Sequence, residues 1–375
     1  MGRTDRTWSA IARPRVGYLF EASPWSDHGL PDLGHCNEFA TLLQAELLIA
    51  VFRGSPDGAE RAIRDLLRLC QILGDHPGRE GQNVRFSMLR KALDWLEFSL
   101  ASLTLLPDRK ERLARGLSEA VDERHVRQVL QWHQARIVTL VRNPETYRSV
   151  MGSFIAGSPT WMRVAYTALM HVRQWNGSIH EQAARSLDQV MHMLEIHRLP
   201  LEARPSALDE AVRNASERRR APRTFWNTHG FGFADPGILQ EDIAAVARVR
   251  CALAALAMDQ AQIRSGSLPR DGIPVSDLLS GVSAPDSQDP FSGKPLLFRR
   301  AESAFWIEGS GRYRSFRSER PPKAIYGEPN RIRFVVDRSV TALHESPPVG
   351  PPPAGPPGQP SIRRYPGFPG RNRNP

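Results

Sequence analysis

The sequence predicts a mainly α-helical protein: antiparallel helical hairpins forming a bundle, weakly repeat-like, then a long helix, a small α+β hairpin module and a disordered C-terminal tail. Three features predict this. Apolar residues recur every three or four positions from Phe39 to about Arg264, the period that lines one face of a helix. After Ser265-Gly266 the pattern changes to short apolar runs separated by turn residues, as in strands and hairpins. Beyond Glu345, eleven of the last thirty residues are proline and none is acidic. Such a segment buries too little apolar surface to fold and favours polyproline II or disorder.

Residues 1–38 are rich in Pro, Gly and Asp, show no steady period, and read as an irregular lead-in. Ala40, Leu43, Leu47, Ala50 and Val51 then mark a helical face that Gly54-Ser55-Pro56-Asp57-Gly58 stops. Ala59, Ala62, Ile63, Leu66, Cys70 and Leu73 form a second stripe, which completes a helical hairpin. The spacing of Gly54, Ala59 and Ile63 is similar to the small-residue pattern of a tetratricopeptide repeat. One copy is visible, whereas an array needs about three.

A third helix is expected from about Asn83 to Leu103, and Pro107-Asp108 opens a fourth. The fifth spans about Asp122 to Val141, with Val126, Val129, Leu130, His133 and Ile137 inward, and Asn143-Pro144 ends it. Ser158-Pro159 starts a helix that Asn176-Gly177 stops. Ser178 with Glu181 then forms a capping box for a helix to about His197. A shorter polar helix follows Ser206 and runs out in the charged stretch Glu217 to Arg223, which reads as a solvated end. Asp235 as N-cap and Pro236 at the first helical position begin the long helix to about Arg264.

The module comprises a helical turn at Val275 to Leu279, a turn at Asp289-Pro290, and strands at Leu296–Arg299, Ala304–Glu308 and Ile332–Val336. The domain organisation is therefore a lead-in (1–38), a helical domain (39–223), the long helix with its module (224–340) and a tail (341–375).

The net charge is +10, and its placement is uneven. From Lys294 to Pro375 there are fifteen Lys or Arg against six Asp or Glu, so the first 293 residues are nearly neutral. Arginine outnumbers lysine 46 to 4. Cys36, Cys70 and Cys251 are odd in number and far apart, which gives no disulfide framework and no CxxC site. No segment reaches the roughly 20 apolar residues that span a bilayer, and the N-terminus lacks the apolar run of a secretory signal. A cytoplasmic chain is expected from the sequence as it stands. An in-frame apolar helix upstream would move it to the envelope.

The stretch ARVRCALAALAMDQAQIRSGSLP, followed after a spacer by DPFSGKPLLFRR and AFWIEGSG, resembles a C-terminal module of uncharacterised, mostly planctomycete-type bacterial proteins. That module is in turn similar to the region after the long helix in type II secretion major pseudopilins. The helices from about Phe39 to Asn143 resemble the front of the same uncharacterised proteins. The resemblance implies an envelope- or secretion-related process. Two features depart from the pseudopilin pattern: Ala22-Ser23-Pro24-Trp25 stands where a long apolar helix would begin, and Arg312, Arg314 and Arg317 stand where a calcium loop needs oxygen ligands.

In the motif Asp289-Pro290-Phe291-Ser292-Gly293-Lys294-Pro295, Asp289 can accept hydrogen bonds from downstream amides, Pro290 fixes φ, Gly293 permits positive φ, and Pro295 leads into a strand. It reads as a structural turn cassette with Asp289, Pro290, Phe291, Gly293 and Pro295 as its key positions. The candidate anion-binding residues are Arg312, Arg314, Arg317 and Arg320, interleaved with Tyr313 and Phe316, as phosphate contact plus base stacking requires. Arg363, Arg364, Tyr365, Phe368, Arg371 and Arg373 extend the pattern in the tail.

His28, His35 and Cys36 are close in sequence without a spaced fourth ligand, and His192 and His197 are five apart, off the spacing of a helical zinc pair. No GxxxxGK[ST], GxGxxG, GxSxG or HExxH motif occurs, so no catalytic residue, metal or cofactor is assigned. The expectation is a non-enzymatic helical scaffold or interaction protein with a protein partner. The alternative is a polyanion-binding protein acting through its basic end.

Overall fold

The chain begins its described course in a helix that is apolar on more than one side. In the computed structural model, residues 33–76, 78–143, 160, 178–218, 236–278, 287–312 and 331–338 are described. Helix α1 (Leu33–Phe52) starts six residues before Phe39, because Cys36 lies four positions before Ala40 and extends the buried stripe of Ala40, Leu43, Leu47 and Ala50 by a turn. Gly54, at φ 61°, ends it in the left-handed conformation that glycine adopts without strain.

Helix α2 (Pro56–Gly74) is capped as its sequence dictates: the Ser55 hydroxyl accepts from the Gly58 N–H at 3.3 Å, and Pro56 fills the first position. The closest approach of α1 and α2 is at Gly58, where an added Cβ would lie 2.8 Å from that of Ala50.

Helices α3 (Arg79–Ser102), α4 (Pro107–Ala120) and α5 (Arg124–Arg142) follow through connections of three or four residues, which fold each helix back beside its predecessor. The third helix starts before the expected Asn83 because buried Gln82 belongs to its first turn. The Gln82 amide nitrogen lies 2.9–3.2 Å from the carbonyls of Leu73, Gly74 and His76 at and just past the end of α2.

Helix α6 (Ser178–Arg198) begins at Ser178 itself. The Glu181 carboxylate pairs with Arg185 one turn on, and the side chain that would complete the expected capping box lies outside the described ones. A 3₁₀ turn (Leu201–Ala203) leads into α7 (Arg204–Arg218). Helix α8 (Gly237–Ser265) has Pro236 at its cap position, one residue later than expected, and ends at Gly266 with φ 72°. The expected helix between Ser158 and Asn176, the charged stretch past Arg218, residues 1–32 and the tail lie outside the described residues.

After a single helical turn, α9 (Val275–Leu278), strands β1 (Leu297–Arg300), β2 (Ala304–Arg312) and β3 (Arg331–Asp337) form an antiparallel sheet in the order β1-β2-β3. Arg300 faces Phe305 and Leu297 faces Glu308 across the first pair, while Phe305 faces Val336 and Ile307 faces Phe334 across the second. Each strand lies within a residue of expectation except that β2 runs on to Arg312, with a register shift after Glu308.

Each outer edge of the sheet is bonded to another part of the chain. The backbone of residues 272–275 bonds to β1 (Gly272 N–H to the Phe298 carbonyl, Phe298 N–H to the Ile273 carbonyl, both 2.9 Å), and the Val335 N–H of β3 donates to the Glu97 carboxylate at 3.1 Å.

Two apolar clusters form the interior. The larger joins α1–α4, the part of α8 from Val249 to Met258, and the sheet residues Phe298, Phe305, Ile307, Phe334 and Val336. The smaller joins α5, α6, α7 and the start of α8 at Ile238, Leu239 and Ile243. Helix α8 runs through both. The division expected near residue 224 falls outside the described residues; the larger cluster joins helices α1–α4, the long helix and the sheet.

Candidate functional site

The turn cassette is organised around one carboxylate. Asp289 is buried; its Oδ1 accepts from the Phe291 N–H at 3.1 Å, and its Oδ2 accepts from the Ser292 hydroxyl at 2.7 Å and the Gly311 N–H at 2.6 Å. Its backbone N–H donates to the Lys294 carbonyl at 2.8 Å, and its own carbonyl accepts from Gly293, whose φ is 66°. Ser292 and Ser310 share a hydrogen bond of 2.7 Å.

Glycine in strand β2 makes room for this group. A Cβ on Gly309 would come within 2.8 Å of the Asp289 carboxyl carbon, and one on Gly311 within 2.4 Å of the Phe291 Cβ. Pro290 is buried, Pro295 pairs across to Gln288, and Phe291 packs against the smaller cluster. The cassette thus ties β2 to the helical body, and every polar contact of Asp289 described here is internal.

Of the candidate anion-binding residues, Arg312 ends β2 opposite Arg331 of β3. Arg314, Arg317 and Arg320 lie outside the described residues. A different set of cations is assembled on the sheet. Trp306 and Glu308 of β2, Arg299 of β1 and Arg331 and Arg333 of β3 gather on one side. Arg299 Nε lies 3.1 Å and Arg331 Nη1 3.6 Å from Glu308 Oε1, and the Trp306 indole N–H donates to Oε2 at 3.3 Å. Burial lowers the Arg333 pKa, with Glu308 opposing the shift. Asp271 takes a second contact from Arg299 at 3.4 Å. Three guanidinium groups thus surround one carboxylate. The alternation Arg331-Ile332-Arg333 was the sequence signal for this set, since residues two apart in a strand share a face.

The interior holds charges that motif searching passes over. Arg85 of α3 and Asp242 of α8, with side chains 0% and 2% exposed, meet at 3.4 Å on the seam between the two apolar clusters. Arg85 also donates to Gln82 at 2.7 Å, its guanidinium carbon lies 4.7 Å from the Phe86 ring centroid, and its Nε has no hydrogen-bond partner among the described residues. Burial raises the Asp242 pKa while Arg85 pulls it down, and burial lowers that of Arg85.

Nearby, His125 and His197 are buried, and desolvation pushes both down to about 4, reinforced by Arg85 at His125 and by Arg204 at His197. A second buried group links three elements: Asp259 of α8 binds Lys110 of α4 at 2.5 Å and also pairs with Arg338, just past β3. Each of these groups joins one structural element to another.

No family model, curated protein or solved structure matches the chain.

The remaining sequence candidates separate in space. Cys36 turns into the core while neighbouring His35 is exposed, and His28 lies outside the described residues. His192 is exposed beside Glu195, whereas His197 is buried. Burial drives the Cys70 thiol up to about 12 and raises that of Cys251, which removes the thiolate a nucleophile would need. Among the described residues no group of three His, Cys, Asp or Glu could hold a metal ion, and no helix is long and apolar enough to cross a membrane.

The most conspicuous surface feature lies on α1. Away from its buried stripe, Leu42, Leu48, Ile49 and Phe52 are 60%, 40%, 51% and 74% exposed. Large apolar residues grouped in this way on a surface mark an interaction site.

Proposed function

We propose that the protein is a non-enzymatic helical scaffold that works by engaging another protein chain. The observation that supports this most directly is the exposed apolar face of α1, held on a helix whose other side is fixed in the core. The buried charges support it further, because Arg85–Asp242 and Lys110–Asp259–Arg338 link elements inside the body. The resemblance of the DPFSGKPL module to the pseudopilin region adds an envelope- or secretion-related process to the proposal, with the chain itself cytoplasmic.

The test is site-specific photo-crosslinking in the native host, with the reactive group at position 49 and a control at exposed Glu111. Discrete intermolecular adducts from position 49 and none from 111 are expected. Their absence from position 49 overturns the reading.

A second reading, polyanion binding through the basic end, draws on the three arginines around Glu308 beside Trp306, continued in sequence by Arg312, Arg314, Arg317 and Arg320. Fluorescence anisotropy with a single-stranded oligonucleotide tests it. Affinity is expected to fall steeply with salt, and the four-fold alanine variant at 312, 314, 317 and 320 is expected to show a shallower salt dependence. Salt-independent binding, or none, removes the reading. Tail and sheet need separate variants, since β3 contributes Phe334 and Val336 to the core.

A further inference from the structure

The outward face of α1 is more regular than a scatter of exposed apolar residues. Leu42, Ala45, Ile49 and Phe52 are spaced 3, 4 and 3 apart, and on the opposite side Cys36, Ala40, Leu43, Leu47 and Ala50 are spaced 4, 3, 4 and 3. Alternating steps of three and four form the seam along which two helices pack side by side. Helix α1 therefore has two such seams about half a turn apart. One is filled by α2 and α3. On the other, Leu42, Ile49 and Phe52 are all well exposed.

We infer that the second seam pairs with the same helix of a second copy of this chain, in antiparallel orientation, which makes the protein a homodimer. This rests on the interaction reading above and names the partner.

The residues around the seam specify both identity and direction. Glu38 lies at one end of the outward side and Arg53 just beyond the other, and both are exposed. Reversing the helix about the midpoint between Ala45 and Glu46 brings Leu42 opposite Ile49 and Glu38 opposite Arg53, while small Ala45 stands near the crossing point, where backbones come closest. A two-fold arrangement needs such a self-complementary surface, in which residue i meets j and j meets i. Parallel pairing would instead set Glu38 against Glu38 and Glu46 against Glu46. A helix of this length is about 30 Å long, and one helix pair is at the small end of stable interfaces, so a dimer that dissociates on dilution is expected.

Sedimentation equilibrium of the full-length chain over a wide concentration series tests this. The expected result is a monomer at the dilute end and a dimer at the concentrated end. Ile49→Asp, at an exposed position, is expected to leave a monomer throughout with an unchanged thermal midpoint by circular dichroism. Glu38→Arg and Arg53→Glu are each expected to weaken dimerisation about five-fold, with recovery in the double variant.

A wild-type monomer at every concentration overturns the inference, as does a dimer that survives Ile49→Asp or a double variant weaker than either single one. An isolated monomer whose position 49 crosslinks to a different protein in the host overturns the second copy and leaves the interaction reading standing. A monomer whose position 49 crosslinks only to residues 1–32 of its own chain, or to nothing, overturns both.

Discussion

Helices α1 and α8 have nearly the same texture and opposite fates. Both carry apolar residues around most of their circumference, and a sequence period cannot tell them apart. Helix α8 lies between the bundle and the sheet, so Ala247, Val249, Cys251, Ala252, Ala254, Ala255, Leu256 and Met258 are buried on several sides at once. Helix α1 places Cys36, Ala40, Leu43, Leu47 and Ala50 in the core and leaves Leu42, Leu48, Ile49 and Phe52 exposed. The difference teaches that an apolar helix need not be a central one: its position in the chain decides whether its second side becomes core or surface.

The largest expected effect tests how far α8 is enclosed. Asp242→Ala leaves Arg85 charged and unpaired in the interior and should cost about 3–5 kcal/mol in urea denaturation, whereas replacing both partners (Arg85→Met with Asp242→Leu) should recover most of that loss. If Asp242→Ala is as mild as a surface substitution, the seam is wetter than its burial implies.

The same enclosure sets a pH dependence. In the folded state His125 and His197 titrate near 4, below their ordinary 6.5. Above pH 6.5 both are neutral whether the chain is folded or not, and their contribution is complete. As pH falls from 6.5 towards 4 the unfolded chain binds the protons first, so stability declines, by up to about 3 kcal/mol for each histidine. Asp242, whose pKa is raised by burial, titrates with the opposite sign in the acid range. The decisive quantity is therefore the difference from His197→Gln, whose stability should fall less between pH 6.5 and 4. Parallel profiles would mean that His197 is already solvated.

The smallest effects contrast two alanines. Ala255→Leu on enclosed α8 should cost about 1–3 kcal/mol by overpacking, while Ala45→Leu on the outer side of α1 should change monomer stability by no more than about 0.5 kcal/mol. Equal losses in chemical denaturation would erase the distinction between the two helices.

Most of the fold was legible in the sequence because its signals are local. Ser55-Pro56 started α2, Gly54 and Gly266 ended helices, and the short apolar runs at Leu296–Arg299, Ala304–Glu308 and Ile332–Val336 marked the strands. Helix ends were displaced where the local signal was weak, as at Leu33-Gly34-His35.

The candidate sites were less legible. Nothing local distinguishes Arg85 from the other arginines, because its counterpart lies 157 residues away and only folding brings them together. Arg331 and Arg333 could have been assigned to one face from their spacing, but which carboxylate they would share depended on register. The outer seam of α1 was present in the spacing of Leu42, Ala45, Ile49 and Phe52, and was masked because the stripe beside it, Ala40-Leu43-Leu47, accounts equally well for a helix.

The two occupied borders of the small sheet limit how this protein can build larger structures. A strand ordinarily recruits another through the row of unpaired amides and carbonyls along its rim. Here one rim is taken by the 272–275 backbone, and on the other Glu97 holds the Val335 amide. A strand added along β1 would have to displace the 272–275 backbone, and one added along β3 would compete with Glu97 for the Val335 amide. On the β3 side the opposition to a further strand comes from a carboxylate that reaches across from the bundle to the Val335 amide.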